Sequence, residues 1–295
     1  MATRIKLPYF RDAEQLPAPL PTTAEILASK DILKGVEAWA DRKVVGVGEH
    51  FIVKYSAHND RIEGDNLLFL EQNNFGEFAP RLYAMWKAED GTLYLVMERL
   101  RGKTLEYLWP DLREADKLMI LSKIKILFTK LRAMPHRGFF GSVDESRMPH
   151  HLFYWPDRKA QISGPFQNER DLIQGLIAKS RLTAQQNQRQ SHLADFFEQC
   201  LSRDLVVDNR LPVFTHSDLQ RKNLLIEMDG KKENCLSVKL VDWESAGWYP
   251  MYWEYVAAFF AFKWDDDWCT RVSHIIDAWP AEAAMMKMIY QDLWF

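Results

Sequence analysis

The chain has 295 residues, 47% hydrophobic and 27% charged, with a formal net charge of −3 and a sequence pI near 6.3. That size and composition suit one large or two modest domains with a substantial core, and the mild acidity gives no electrostatic footprint for nucleic acid or an anionic membrane. No run of about eighteen apolar residues occurs, the first residues lack a signal peptide's apolar core, and Cys200, Cys235 and Cys269 fit neither a disulfide framework nor a zinc pattern, so a cytoplasmic protein is expected.

A proline-rich arm runs to about Pro21, and residues 24–40 read as helical. Gly46-Val47-Gly48-Glu49-His50-Phe51 holds the first two glycines of G-x-G-x-x-G with Phe51 at the third, which leaves two readings, a curtailed phosphate-covering loop or a plain hairpin turn. Residues 51–55 form a strand with one lysine, Lys54, among apolar neighbours. Residues 61–73 form a helix with Leu67, Leu68 and Leu70 on its apolar face and Glu63 one turn nearer its start. A snorkelling Lys54 and a Glu63 that merely favours a helix N-terminus are the plainer reading of that pair.

Residues 93–100 run as an apolar strand into Arg101-Gly102, the expected connection between two parts of the molecule. Residues 113–134 carry Leu118, Leu121, Ile124, Phe128 and Leu131 at three- and four-residue steps, which predicts a long core helix ended by Pro135. A further helix starts near Glu169 and runs to about Lys179. Residues 183–192 read as an exposed glutamine-rich linker, and Leu193, Phe196, Phe197, Cys200 and Leu201 mark the apolar face of the helix after it.

Residues 211–215 are apolar, 216–222 make a polar loop that Asn223 closes, and 224–228 are apolar again. After Asp229-Gly230 the apolar pattern resumes at 236–241, which predicts a β-hairpin. A hairpin returns the chain to its start, so Asp242 is expected beside Asn223. Two oxygen-bearing side chains completed by substrate phosphates suit Mg2+, and Asp218 is expected to face the same cleft as a base or orienting group for a hydroxyl.

The loop reads His216-Ser217-Asp218-Leu219-x-x-x-Asn223, and the later triplet reads Asp242-Trp243-Glu244. The interval from Asp to Asn is that of the protein-kinase catalytic loop, without its arginine and without the final glycine of Asp-Phe-Gly. In these departures the chain resembles the aminoglycoside phosphotransferase and choline kinase group of small-molecule kinases. It is similar above all to the fungal phosphotransferase-family proteins, whose D-W-E-x-A-G-W-Y-P-x-Y-W-E-Y stretch is matched from Asp242 to Tyr255, and whose G-P-F-x-N-E segment is matched from Gly164 to Glu169. The resemblance covers roughly residues 44–255.

The resemblance implies an α+β, bilobal protein-kinase-like fold, with residues 1–99 as an N-terminal arm and small β-rich nucleotide-binding lobe and residues 100–295 as a larger, mainly helical lobe. It implies that Lys54 steadies the ATP phosphates under orientation by Glu63, with Glu71 the rival glutamate. It implies that backbone groups from Glu98 to Leu100 meet the adenine edge, and that His216 braces the catalytic loop rather than touching substrate. The expected activity is ATP- and Mg2+-dependent transfer of the γ-phosphate to a small-molecule hydroxyl; the alternative is a catalytically impaired kinase-fold binding or scaffold protein.

Residues 248–255 follow Asp242 almost at once and leave no room for a peptide-binding activation segment, which favours a small-molecule acceptor over a protein. Trp264-Asp265-Asp266-Asp267-Trp268 joins acids to aromatics, a chemistry that can hold an amine; a solvated acidic turn between core tryptophans is the other reading. Glu244, Trp248 and Glu254 compete with Asp265 and Asp266 as the wall of an acceptor pocket for a cationic compound.

Overall fold

The computed structural model describes residues 4–35, 41–204, 210–229, 234–264 and 266–294. In chain order the elements begin with β1 (Tyr9–Phe10), α1 (Thr23–Ala28), β2 (Ile32–Lys34), β3 (Lys43–Val47), β4 (Phe51–Ser56) and α2 (Ile62–Gln72). They continue with β5 (Leu82–Lys87), β6 (Leu93–Glu98), β7 (Lys103–Thr104), α3 (Leu105–Leu108), α4 (Glu114–Arg132), α5 (Ala160–Ser163), α6 (Glu169–Gln186) and α7 (His192–Asp204). The last are β8 (Val213–Thr215), β9 (Leu224–Met228), β10 (Cys235–Leu240), β11 (Gly247–Tyr249), α8 (Trp253–Phe260), α9 (Trp268–Arg271) and α10 (Pro280–Trp294).

The chain forms two compact units, Met1–Leu108 with Leu224–Glu244, and Trp109–Asn223 with Ser245–Phe295. The first is β-rich and the second mainly helical, an α+β fold. The expected division at residue 99 runs along the sequence, whereas the first unit extends to Leu108 and takes in the hairpin of β9 and β10.

Among the described residues the first unit carries an antiparallel six-stranded sheet in the order β1-β5-β6-β4-β3-β2 and a three-stranded sheet in the order β10-β9-β7. Alternation along β4 puts Phe51 and Val53 into a core with Ile26, Val45, Tyr83, Tyr94 and Val96, and points Lys54 to the opposite face. Leu16, Ala18 and Leu20 of the proline-rich arm cover that core.

The single helix expected over 24–40 is not present. A capping box of Thr22 and Glu25 starts α1, and the helix stops at Ser29, whose hydroxyl donates to the Gly46 carbonyl at 2.6 Å. The Gly46 N–H then donates to the Asp31 carbonyl at 2.8 Å, and residues 32–34 join β3 as an edge strand. The part of the expected helix at 36–40 lies outside the described residues.

The Gly46 to Phe51 segment resolves to the hairpin-turn reading. Gly46 lies inside β3, and Gly48, at φ +60°, turns the chain into β4, with Val47 opposite Phe51.

In the second unit α4 matches the expected core helix, with Leu121, Ile124, Phe128 and Leu131 buried, but Leu118 is exposed and Ile120 and Leu127 take the core positions. The helix after Asn168 runs to Gln186, seven residues past its expected end, so the linker shortens to 187–191. Asn168 caps it by accepting from the Asp171 N–H at 2.9 Å. Phe197 of α7 is buried and Phe196 is exposed. No helix of the described residues is long and apolar enough to cross a membrane.

Candidate active site

The chemistry-bearing residues form two clusters, one within each unit. In the first, Lys54 is 5% exposed, and its Nζ lies 2.7 Å from Glu63 Oε2, 2.7 Å from Asp242 Oδ1 and 2.9 Å from Glu244 Oε2. Glu63 rides on α2, which approaches β5 closely because residue 64 is glycine: a Cβ there would meet Met85 Sδ at 2.6 Å. Asn66, one turn along, donates to the Trp243 carbonyl at 2.7 Å and ties the helix to the segment that carries Asp242 and Glu244. Glu71, the rival partner, is paired with Arg11 and Arg81 instead.

Two further cations close the cluster, and sequence reasoning missed both. Lys34 Nζ lies 3.1 Å from Asp242 Oδ2, and Arg42 Nη1 lies 2.6 Å from Glu244 Oε2. Burial alone lowers the Lys54 pKa, but the carboxylates of Glu63, Asp242 and Glu244 outweigh it and raise the value. Burial likewise works to raise the Asp242 pKa, and Lys54 and Lys34 together hold it well below the usual carboxylate range. Burial raises that of Glu63. Oxygens of Glu63, Asp242 and Glu244 lie within 4.8 Å of one another, a spacing that a hard cation accepts.

β9 and β10 pair as the expected hairpin, with Leu224 opposite Leu240. Asn223 directly precedes the first strand and Asp242 follows the second by two residues. Asp242 sits at φ +69°, a left-handed conformation shared by Ser217 at φ +68° in the loop before Asn223.

The second cluster surrounds Asp218. Asn223 Nδ2 donates to Asp218 Oδ2 at 2.7 Å and to the Asp218 carbonyl at 3.0 Å, and Gln220 Nε2 donates to Asp218 Oδ1. Asn223 is buried, and its Oδ1 has no hydrogen-bond partner among the described residues. His216 Nδ1 accepts from the Asp218 N–H at 3.2 Å.

Beneath the loop lies Glu254, completely buried, whose carboxylate accepts from the His216 N–H at 2.7 Å and the Ser217 N–H at 3.1 Å. Burial drives its pKa up to about 7, against the two N–H groups and Arg132, which lower it. Trp253 Nε1 donates to Ser217 Oγ at 2.9 Å, and Tyr249 stacks on Trp253 at 5.2 Å between centroids.

These contacts correct several expectations about the acceptor wall. Glu254 is a buried clamp for the loop, and Trp248 is a core residue, 1% exposed and packed edge-on against Phe214 at 5.1 Å. Glu244 is held by Lys54 and Arg42. Asp266 is ion-paired to Arg221, whose guanidinium lies 5.5 Å from the Trp109 ring and 5.7 Å from the Trp268 ring. The acid and aromatic pair therefore does hold a cation, and that cation is the protein's own Arg221. Asp265 lies outside the described residues.

Glu98 and Leu100 line a cavity of about 760 Å³ in the first unit, together with His50, Tyr83, Glu227 and Lys239. Glu98 is paired in register with Phe51, so its side chain is on the face opposite Lys54. The Glu98 N–H donates to the Arg81 carbonyl and the Arg99 N–H to the His50 carbonyl; no hydrogen bond to the Leu100 N–H is found among the described residues.

A model of the phosphotransferase enzyme family matches residues 61–286. No curated protein matches the chain by sequence. Among solved structures, the ADP-bound aminoglycoside phosphotransferase APH(2'')-Ib aligns with a TM-score of 0.57 at 12% identity, over 89% of this chain and 79% of that one. The streptomycin-ATP-APH(2'')-IIa ternary complex aligns at 0.54 with 13% identity, over 80% and 75%. The apo form of a thermostable mutant of APH(4)-Ia aligns at 0.52 with 15% identity, over 89% of each chain. At these identities the likeness is one of fold.

Proposed function

The chain belongs to the phosphotransferase enzyme family, and from that premise we propose that it transfers the γ-phosphate of ATP to a hydroxyl of a small molecule. The observation that carries this reading is the Asp218–Asn223 pair. Asn223 spends its amide N–H on Asp218, which orients the carboxylate, and leaves Oδ1 buried with no hydrogen-bond partner among the described residues. A buried carbonyl oxygen left unmade is costly, and a hard cation is a fitting partner.

Asn223 and Asp242 each offer an oxygen, one amide and one carboxylate, of the kind that would hold Mg2+. When bound, the ion neutralises charge on the phosphates. The protein groups do the rest: Lys54, fixed by Glu63, positions an anionic phosphate, and Asp218 takes up or orients the proton of the acceptor hydroxyl. In this reading the first unit carries the nucleotide, and the Leu100 N–H, which makes no hydrogen bond among the described residues, is available to the adenine edge. His216 supports the loop through its bond to the Asp218 N–H. β11 follows Asp242 after only four residues, which supports a small-molecule acceptor.

The alternative, a binding or scaffold protein without turnover, is supported by one observation, the engagement of both Asp242 oxygens by lysines. A thermal-shift titration with ATP and Mg2+ separates the two. We expect millimolar MgATP to raise the melting temperature of the parent and not that of Asp242→Asn, because only a ligand of the native state stabilises it. No shift in the parent at saturating nucleotide removes the kinase reading.

A further inference from the structure

A concave pocket of about 220 Å³ in the second unit is lined by His151, Leu152, Tyr154, Lys179 and Leu293. Its His151 is linked to the loop that carries Asp218 through a relay of contacts. The His151 ring packs at a tilt on His150 with centroids 4.0 Å apart, His150 packs edge-on against Trp253 at 5.4 Å, and Trp253 donates to Ser217, the neighbour of Asp218. The backbone N–H of His150 also donates to the Tyr249 hydroxyl at 2.9 Å, so the segment bearing His151 is fixed to the aromatics under the loop.

Lys179 is the unusual member. It projects from α6 into this pocket, and its Nζ donates to the Leu152 carbonyl at 2.8 Å; no carboxylate pairs with it among the described residues. Asp292, the acid next to Leu293 on α10, accepts from the Ser180 hydroxyl instead. Burial lowers the Lys179 pKa to about 8, so the side chain is still mainly protonated at neutral pH. Burial and Lys179 lower the pKa of His151, and the Asp218 carboxylate works in the opposite direction. A half-buried ammonium that faces a cavity with no counter-ion among the described residues is a site for an anion. Of the acids expected to select a cation, Asp266 is paired with Arg221, Glu254 is bound to the loop at 216–217 and Glu244 is paired with Lys54 and Arg42.

We propose that this pocket is the acceptor site and that it takes a hydroxyl compound bearing a carboxylate or phosphate, held by Lys179 beside His151, rather than an amine. The proposal rests on the phosphotransferase reading for the hydroxyl's fate, but the anion-binding part stands on the pocket alone.

The test is a matched set of vicinal diols: glycerol, glycerate, glycerol 3-phosphate and 3-aminopropane-1,2-diol. Binding to the whole protein is followed by saturation-transfer NMR, and transfer by ADP release in the presence of MgATP. Glycerate or glycerol 3-phosphate is expected to bind better than glycerol and the amine, and the preference between the two identifies the anion. Lys179→Met is expected to weaken that binding about tenfold or more, and Lys179→Arg to restore most of it. An unchanged melting temperature of Lys179→Met, with an unchanged response to MgATP, shows that the fold and the nucleotide site are intact. The proposal is overturned if neither anion binds, if the amine binds best, or if Lys179→Met binds the anion as the parent does. Anion binding that depends on Lys179 without any ADP release would instead remove the phosphotransferase reading and leave the site.

Discussion

The first unit holds its reactive groups with side-chain ion pairs, whereas the second holds them with backbone hydrogen bonds and packed aromatics. Around Lys54, three carboxylates meet Lys34, Arg42 and Lys54, and the outer pairs are half exposed. Around Asp218, the loop is bound from below by Glu254 and laterally by Trp253 and Asn223, all buried. Ion pairs between exposed side chains are weak and can be exchanged for those of a charged ligand. Buried hydrogen bonds to the main chain fix one geometry. The contrast is that of a region built to trade partners against a region built to keep them.

The most severe way to probe that contrast is Asp218→Asn. It should lower the transfer rate about a thousandfold while leaving the MgATP thermal shift intact, because it removes the proton acceptor and spares the first unit. Rates within a few fold of the parent in a single-turnover assay would contradict the role given to Asp218.

Glu254→Gln addresses the fixed region through pH. Its native pKa, about 7, exceeds the ordinary value for a glutamate. The native state therefore binds the proton more tightly, and the stability contributed by this group is full below the unfolded pKa and lost as pH rises through 7. An amide has no such dependence. Relative to the parent, Glu254→Gln should gain about 2 kcal/mol between about pH 5.5 and about pH 8, read from urea unfolding. A constant difference across that window would show that Glu254 titrates normally.

The smallest effects belong to the exchangeable region. Lys34→Ala and Arg42→Ala should each change folding stability by less than about 1 kcal/mol, and raise the KM for ATP by about tenfold or less. A large loss of stability in either would mean that these pairs are structural, and the contrast would fail.

The sequence made the fixed region more legible than the exchangeable one. Alternating apolar residues on either side of Asp229-Gly230 were enough to place β9 and β10, and the interval from His216 to Asn223 marked the loop. Lys54 and Glu63 stood out because a lone charge in an apolar strand and an acid early in a helix are local signals. Lys34 and Arg42 gave none: their positions depend on residues 32–34 leaving the helix at Ser29 to pair with β3, which is decided by tertiary hydrogen bonds at Gly46. Gly46 and Gly48 imitate a phosphate loop because a tight turn and a close backbone approach ask for the same residue. Glu254 and Asp266 looked available for substrate because charge is visible in a sequence, whereas the burial of Glu254 and the pairing of Asp266 with Arg221 are not.

The insertion of Leu224–Glu244 into the first unit sets an order for synthesis. Among the described residues β7 pairs only with β9, Lys103 opposite Ile226, and two of the three acids around Lys54 lie at 242 and 244. A nascent chain that has emerged only to residue 108 has Glu63 as the sole one of those acids beside a buried lysine. Until the hairpin arrives, after most of the second unit has been made, that lysine lacks two of its native counter-charges. Domains generally fold as units during synthesis; here the N-terminal unit is begun first and completed late.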